Sequence, residues 1–472
     1  MNYNPVTEEI ILELRKIVGD RNIIVDKEKL ETYSHDETPI EQYAHLPEVV
    51  LTPGSAKEIS EIVKLANRER IPVTPRGAGS GLSGGAIPQF GGIVISVEKM
   101  NKVIEIDYDN MMMVLEPGVV TNSVNEIIAD KGLFFAGYPM SVETCYIGGN
   151  IAENAGGGKA VKYGVTGRYV MGLEVVTPTG EIVELGGKRV KDVTGYDLKQ
   201  LIVGSEGTLG IVTKAIIKLL PLPTDKVDLL VLFKDVKSAI SMVPKIITSG
   251  RIIPTGIEFM DKLSVQTSCQ YLNEHLPYQK AGAMLLIEVD GNNLEQVDTD
   301  AETIGELCLE NGAIEVYVAD NYTTQERVWS VRRNIAEAFK VFSPHQSLED
   351  IVVPIASIPD LIPRLEKISD KHDIKIPCYG HAGDGNLHAT LVKNPTHSMT
   401  EWYEIEKKAL REMYIATKEL GGTISGEHGI GSKRKPYMEL VMNPIELELM
   451  RKIKRAFDPK NILNPGKIFN LV

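Results

Sequence analysis

The sequence predicts an α+β protein of two main domains, and three observations predict it. Glycine-rich loops flanked by apolar, β-branched segments occur three times between residues 75 and 213. After Pro221-Leu222-Pro223 the pattern changes to strand, helix, strand units that repeat without any such loop. The length of 472 residues is enough for two or three separate cores. Units of the second kind read as a ferredoxin-type cap over a separate domain whose glycine loops hold a ligand.

Taken in order, residues 5–18 predict an amphipathic helix, with Ile10, Ile11, Leu14, Ile17 and Val18 at helical spacing and Gly19 as its stop. A polar stretch runs to residue 46, so 1–46 is read as an N-terminal helical segment. The ligand-binding domain is set at 47–222. Inside it Ser55 and Glu58 predict one capping box, and Ser123 and Glu126 a second helix start. The cap is set at 223–420, with LLVLF, SAISMVPKII and TGIEFM as its first unit and AMLLIEV through IEVYVA as its second. A third unit runs from IVVPI through a helix at 358–371 to a strand at His388–Val392. Residues 421–472 form a last segment with a glycine-rich turn, an amphipathic helix, 444–457, and FDPKNILNPGKIF.

The densest glycine loop is Pro75-Arg76-Gly77-Ala78-Gly79-Ser80-Gly81-Leu82-Ser83-Gly84-Gly85. Glycines at successive positions let backbone N–H groups converge on an anion, and Arg76 adds fixed charge, so the natural guest is a diphosphate. A flexible linker is the alternative, and the apolar strands on both sides speak against it. Gly79 to Gly84 also spells G-x-G-x-x-G, but Pro88 and Gly91-Gly92 follow where a dinucleotide fingerprint needs a helix. The loop is therefore read as lying between strands. TCYIGGNIAENAGGG at 144–158 and KDVTGYDLKQLIVGSEGTLGIVT at 191–213 are the other two loops, and together the three suggest one extended ligand.

Side chains suited to chemistry gather in the second half. Gly380-His381-Ala382-Gly383-Asp384-Gly385-Asn386-Leu387-His388 and Ser425-Gly426-Glu427-His428-Gly429 hold three of the nine histidines between glycines. Two imidazoles and a carboxylate are a common set for a divalent metal with open positions. Spacing alone equally allows surface histidines in loops, and Asp384 can equally hold its turn or touch substrate. Trp329-Ser330-Val331-Arg332-Arg333 offers either a carboxylate-binding arginine or a solvated helix face.

Composition narrows the classes. A net charge of −13 argues against nucleic acid and against an electrostatic hold on anionic lipid. The N-terminus lacks a signal-peptide pattern, no apolar run is long enough to span a bilayer, and four scattered cysteines give neither a disulfide framework nor an iron–sulfur cluster. A cytoplasmic setting is expected.

Six motifs in order complete the reading: RGAGSGLSGG, YPMSVETCYIGGNIAENAGG, KDVTGYDLKQLIVGSEGTLGIVT, GHAGDGNLH, SGEHGIG and FDPKNILNPGKIF. From about residue 45 onward the chain resembles the FAD-linked 2-hydroxy-acid dehydrogenases of the vanillyl-alcohol oxidase superfamily, among them D-lactate, glycolate and D-2-hydroxyglutarate enzymes. The resemblance implies a two-subdomain FAD-binding fold, to which residues 421–472 return, with a ferredoxin-like substrate cap. It implies FAD contacts at Arg76, Gly77, Ala78, Gly79, Ser80, Gly81, Leu82 and Ser83. Further contacts fall on Pro139, Thr144, Gly148, Gly149, Asn154, Gly210, Ile211 and Val212. Ser80 stands where covalently flavinylated relatives have histidine, so FAD is expected to be non-covalent. His381, His388 and Glu427 become ligands of a divalent metal (Zn, Fe or Mn), His428 the catalytic base, and Arg332 the grip on the substrate carboxylate. Leu348 replaces a lysine of some relatives, which weighs against a dicarboxylic substrate. A small D-2-hydroxy acid, D-lactate foremost, is the expected substrate. An electron-transferring flavoprotein or an iron–sulfur subunit is the expected acceptor. A metallohydrolase with purely structural glycine loops is the competing class.

Overall fold

Strand Val49–Leu51, helix Ala56–Glu69 and strand Val73–Arg76 form the parallel crossover from which the first glycine loop springs. In this computed structural model, which describes residues 2–471, the two strands flank Ile93–Ser96, and Ile23–Ile24 adds an antiparallel edge. The helix forms because Ile59, Ile62, Val63 and Ala66 share one buried face and Ser55 caps its N-terminus by accepting from Glu58 N–H. The capping box is only half made, since the Glu58 carboxylate accepts from Gly54 instead of Ser55. The expected cap at Ser123 is replaced: the helix starts at Thr121, after Val120, with no side-chain cap. Its first turn is tied elsewhere, by Thr121 N–H to the Cys145 carbonyl.

The chain divides into two compact units. One comprises Met1–Gly156, Val165–Pro221 and Glu427–Val472; the other comprises Gly157–Gly164 and Leu222–Gly426. The first unit also holds a five-stranded antiparallel sheet in the order Val103–Asp107, Met112–Leu115, Ile211–Lys218, Val170–Val176, Ile182–Gly186. One core joins Val49, Leu51, Val73, Ile93 and Ile95 of the parallel sheet to Val176 and Ile211 of the antiparallel one. At an order of 1.5–3 kcal/mol per fully buried aliphatic side chain, this core is what holds the loops' supporting strands in place.

The second unit is built on a seven-stranded antiparallel sheet. Its order is Ala313–Ala319, Asp225–Phe233, Ala283–Gly291, Gly256–Asp261, Cys378–His381, Asn386–Val392, Gln346–Val352. Leu230, Leu232, Met260, Met284 and Leu286 pack with Val265, Val328, Val331 and Phe339 from helices on one face. No helix among the described residues is long and apolar enough to cross a membrane.

Candidate functional site

The first glycine loop leaves strand Val73–Arg76 and is tied down by backbone groups. Gly81 C=O accepts from Glu37 N–H at 2.9 Å, and Gly84 N–H donates to the Asp36 carboxylate at 2.8 Å. Ser83 C=O accepts from Ser432 and Lys433 N–H, both at 3.0 Å. Arg76 is engaged by backbone carbonyls. Its buried guanidinium donates to the carbonyls of His35 at 2.7 Å and Thr32 at 3.3 Å, and it lies against Gly79. Burial pushes its pKa down. Gly79 has φ +77°, and a Cβ there would come within 2.1 Å of Arg76 Nη2, so only glycine lets the loop close over the guanidinium.

The second loop starts helix Ile147–Glu153. A Cβ on Gly148 would meet Pro117 at 2.6 Å, whereas one on Gly149 would meet nothing within 4 Å. A Cβ on Gly77 would stand 3.5 Å from the Gly149 backbone, so the two glycine loops lie side by side. Gly77, Ala78, Ser80, Gly81 and Leu82 are half-buried, as is Pro139, while Thr144 is exposed. Asn154 caps the helix at φ +54°, and its Oδ1 accepts from Gly167 N–H. Gly210, Ile211 and Val212 are buried, the latter two paired to strand Val170–Val176. Closely approaching glycine backbones with open space at Gly149 fit a diphosphate-bearing cofactor.

Tight turns and strand pairing assemble the other cluster. Glu258 is opposite His381, His381 opposite Asn386, and His388 opposite Asp350. Opposed residues of antiparallel strands share a face, so all five side chains project from one side of the sheet. The turn between the histidines is held by Asp384, whose carboxylate accepts from Asn386 N–H at 3.1 Å. The His381 and His388 rings lie edge to face with centroids 5.3 Å apart. His381 Nδ1 is 2.5 Å from Glu258 Oε1. Arg332, near the end of helix Tyr322–Arg333, reaches Glu258 Oε2 through Nε at 2.7 Å and Nη2 at 2.6 Å, and lies over the Tyr379 ring at 5.1 Å. Arg332 is therefore buried, whereas Arg333 is paired with Glu326 at the surface. Burial works to raise the Glu258 carboxyl, but His381 and Arg332 hold it down at about 2.

Asp350 accepts from Asn386 Nδ2 at 2.7 Å, from Ser425 Oγ at 2.8 Å and from Gly426 N–H at 2.9 Å. Gly426 leads directly into Glu427 and His428, whose side chains are 3.5 Å apart. Asp350 and His388 of this face, and Glu427 and His428 just past Gly426 in the chain, are donors of the kind that hold a metal ion. Such nitrogen and oxygen donors suit Zn, Fe or Mn. His381 has its Nδ1 fixed by a carboxylate, the usual outer-shell partner of a metal-bound histidine. Beyond His428, Ile430 and Gly431 N–H both donate to the Glu206 carboxylate at 2.7 Å, which anchors this turn to the third glycine loop. The sequence reading assigned no site role to Glu258, Asp350, Asn386 or Glu206. A lone carboxylate on the inward face of an apolar strand, as in GIEFMD, is the signal that points to Glu258.

A glycine cradle and a set of imidazole and carboxylate side chains are the equipment of a cofactor-dependent oxidoreductase. The model of an FAD binding domain matches residues 47–186, and that of the C-terminal domain of FAD linked oxidases matches residues 222–468. The chain is 41% identical to glycolate oxidase subunit GlcD of Bacillus subtilis (strain 168), covering 98% of this chain and 97% of that one. It is 38% identical to a D-lactate dehydrogenase of Anaerostipes hadrus, covering 99% and 98%. Among solved structures, p-cresol methylhydroxylase with substrate bound superposes with a TM-score of 0.79 over 99% of both chains, at 20% identity, a likeness of fold. The chain belongs to the FAD-linked hydroxy-acid dehydrogenase family and has the α+β, vanillyl-alcohol oxidase type of FAD-binding fold with a ferredoxin-like cap.

Proposed function

We propose that the protein oxidises a small D-2-hydroxy acid, D-lactate to pyruvate foremost, and passes the electrons to a protein acceptor such as an electron-transferring flavoprotein or an iron–sulfur subunit. The observation that carries this reading is the shared buried face of Glu258, His381, His388 and Asp350, with Arg332 bonded to the same Glu258. FAD would be held, without a covalent link, by the loops around Gly77–Ser83 and Gly149. A divalent metal would be held by His381, His388 and Glu427, with Asp350 as a further carboxylate. When bound, these groups supply a hydride acceptor and an acidified substrate hydroxyl.

The chain's own residues do the rest. Arg332, held against Glu258 through Nε and Nη2, would grip the substrate carboxylate. That contact orients the Cα–H bond. His428 takes the hydroxyl proton, a task suited to an imidazole near neutral pH. Leu348, partly buried against the apolar core, adds no cation for a second carboxylate and so favours a monocarboxylic acid over 2-hydroxyglutarate. The test is metal removal. Chelation should abolish dye-coupled oxidation of D-lactate while the yellow colour stays, and Mn2+ or Zn2+ should restore it. A full rate after complete chelation would contradict the reading.

A further inference from the structure

Arg332 and His381 have roles in the proposed reaction, but the group that touches both has none. Glu258 lies between Ile257 and Phe259 in strand Gly256–Asp261 and is fully buried. Its two oxygens divide the work: Oε1 meets His381 Nδ1 at 2.5 Å, and Oε2 meets Arg332 Nη2 at 2.6 Å and Nε at 2.7 Å. Backbone register sets Glu258 directly opposite His381, so the first contact is fixed by sheet pairing. Gly158 closes over the group. A Cβ there would stand 2.8 Å from Oε1 and 3.7 Å from His381 Nδ1, so the close approach needs a residue without a side chain.

We propose that Glu258 is the positioning residue of the site, a single carboxylate that sets His381 for metal ligation and Arg332 for the substrate carboxylate at the same time. The proposal rests on the functional reading above for its substrate half only. An ionised carboxylate accepts at both oxygens, so it can serve donors on two sides. Accepting from Nδ1–H fixes the neutral His381 tautomer that offers Nε2 to a metal. Accepting from Nε, with Nη2 ion-paired to the same oxygen, fixes the guanidinium plane. Metal affinity and substrate affinity therefore share one anchor, although their binding groups come from different elements.

The experiment uses the full-length, FAD-loaded protein stripped of metal and titrated with MnCl2 alone by calorimetry. In Glu258→Gln one oxygen acceptor becomes an amide donor, so either His381 or Arg332 faces a donor. Mn2+ affinity should fall by about 10–100-fold, and KM for D-lactate should rise more than kcat falls. Glu258→Asp keeps both acceptors and should restore part of one readout. Flavin absorbance and circular dichroism report folding. If Glu258→Gln does not fold, Glu258→Asp carries the test, with weakened Mn2+ binding expected from its shorter reach. Mn2+ affinity within twofold of wild type in every folded variant would overturn the proposal. So would independent, multiplying effects of Glu258→Gln and Arg332→Lys on KM. If the wild type reduces its flavin with no 2-hydroxy acid, the functional reading fails, and the Mn2+ titration still decides the role of Glu258.

Discussion

The glycine-loop region and the polar sheet face reach specificity by opposite means. In the loops around Gly77–Gly85 and Gly148–Asn154 the backbone would be the binding surface of the proposed cofactor, and side chains such as Arg76 and Asp36 hold that backbone. On the sheet face the backbone only sets register, and the proposed chemistry would rest on side chains from Glu258 to His388. A backbone-built site is broken by adding atoms. A side-chain-built site is broken by removing them. Glu206 is where the first unit meets both demands, since its carboxylate clamps the turn after His428 while Ser432 and Lys433 tie that same turn to Ser83.

The largest expected effect lies on the side-chain-built site. His428→Ala should slow flavin reduction by substrate by about 10²–10⁴-fold while FAD stays bound, as read by anaerobic stopped-flow absorbance. Reduction at near wild-type rate would move the base elsewhere. The converse substitution, Gly79→Ala, adds one methyl group against a buried guanidinium at φ +77°. Strain of about 1–3 kcal/mol in the loop should weaken FAD binding by roughly tenfold or more in a fluorescence titration. Mn2+ binding should be unchanged, and equal loss of both ligands would erase the contrast.

These two substitutions also mark how far the sequence could be read. Gly79 was legible because a glycine loop is local: its purpose is written in neighbouring residues. His381, His388 and His428 were legible as types bracketed by glycine, but their company was not. Glu258 is 123 residues from His381, and only strand pairing joins them. Arg332 read equally well as a solvated residue, because a helix sequence does not say which neighbour covers it. Arg76 was read as an anion ligand and instead supports the loop from behind, a distinction set by the carbonyls of Thr32 and His35, more than 40 residues away. The helix at Thr121 formed without the cap its sequence advertised, since burial of Val124 and Ile128 outweighs one capping bond.

A predicted effect on stability alone, outside both sites, falls on the same sheet, away from the histidines. Asp228 is buried opposite Glu288, and burial together with that neighbouring charge pushes its carboxyl up to about 7. The native state then keeps a proton that the unfolded chain releases above its ordinary value near 4. Stability from this group is complete below about pH 4 and is lost as pH rises to about 7. Asp228→Asn should remove that slope, so its stability relative to wild type should grow by roughly 2–3 kcal/mol between pH 5 and pH 8 in urea unfolding. A constant difference across that range would mean Asp228 is ionised in the folded protein.

The central claim is the proposed oxidation of one small hydroxy acid by the bound flavin. Its most direct test is anaerobic mixing of the FAD-loaded protein with D- and L-lactate, glycolate and D-2-hydroxyglutarate in turn, following the flavin absorbance. The account predicts rapid bleaching by D-lactate, slower bleaching by glycolate, and little by L-lactate or D-2-hydroxyglutarate. Flavin that stays oxidised with every one of these acids, in protein shown to hold both FAD and metal, would contradict it.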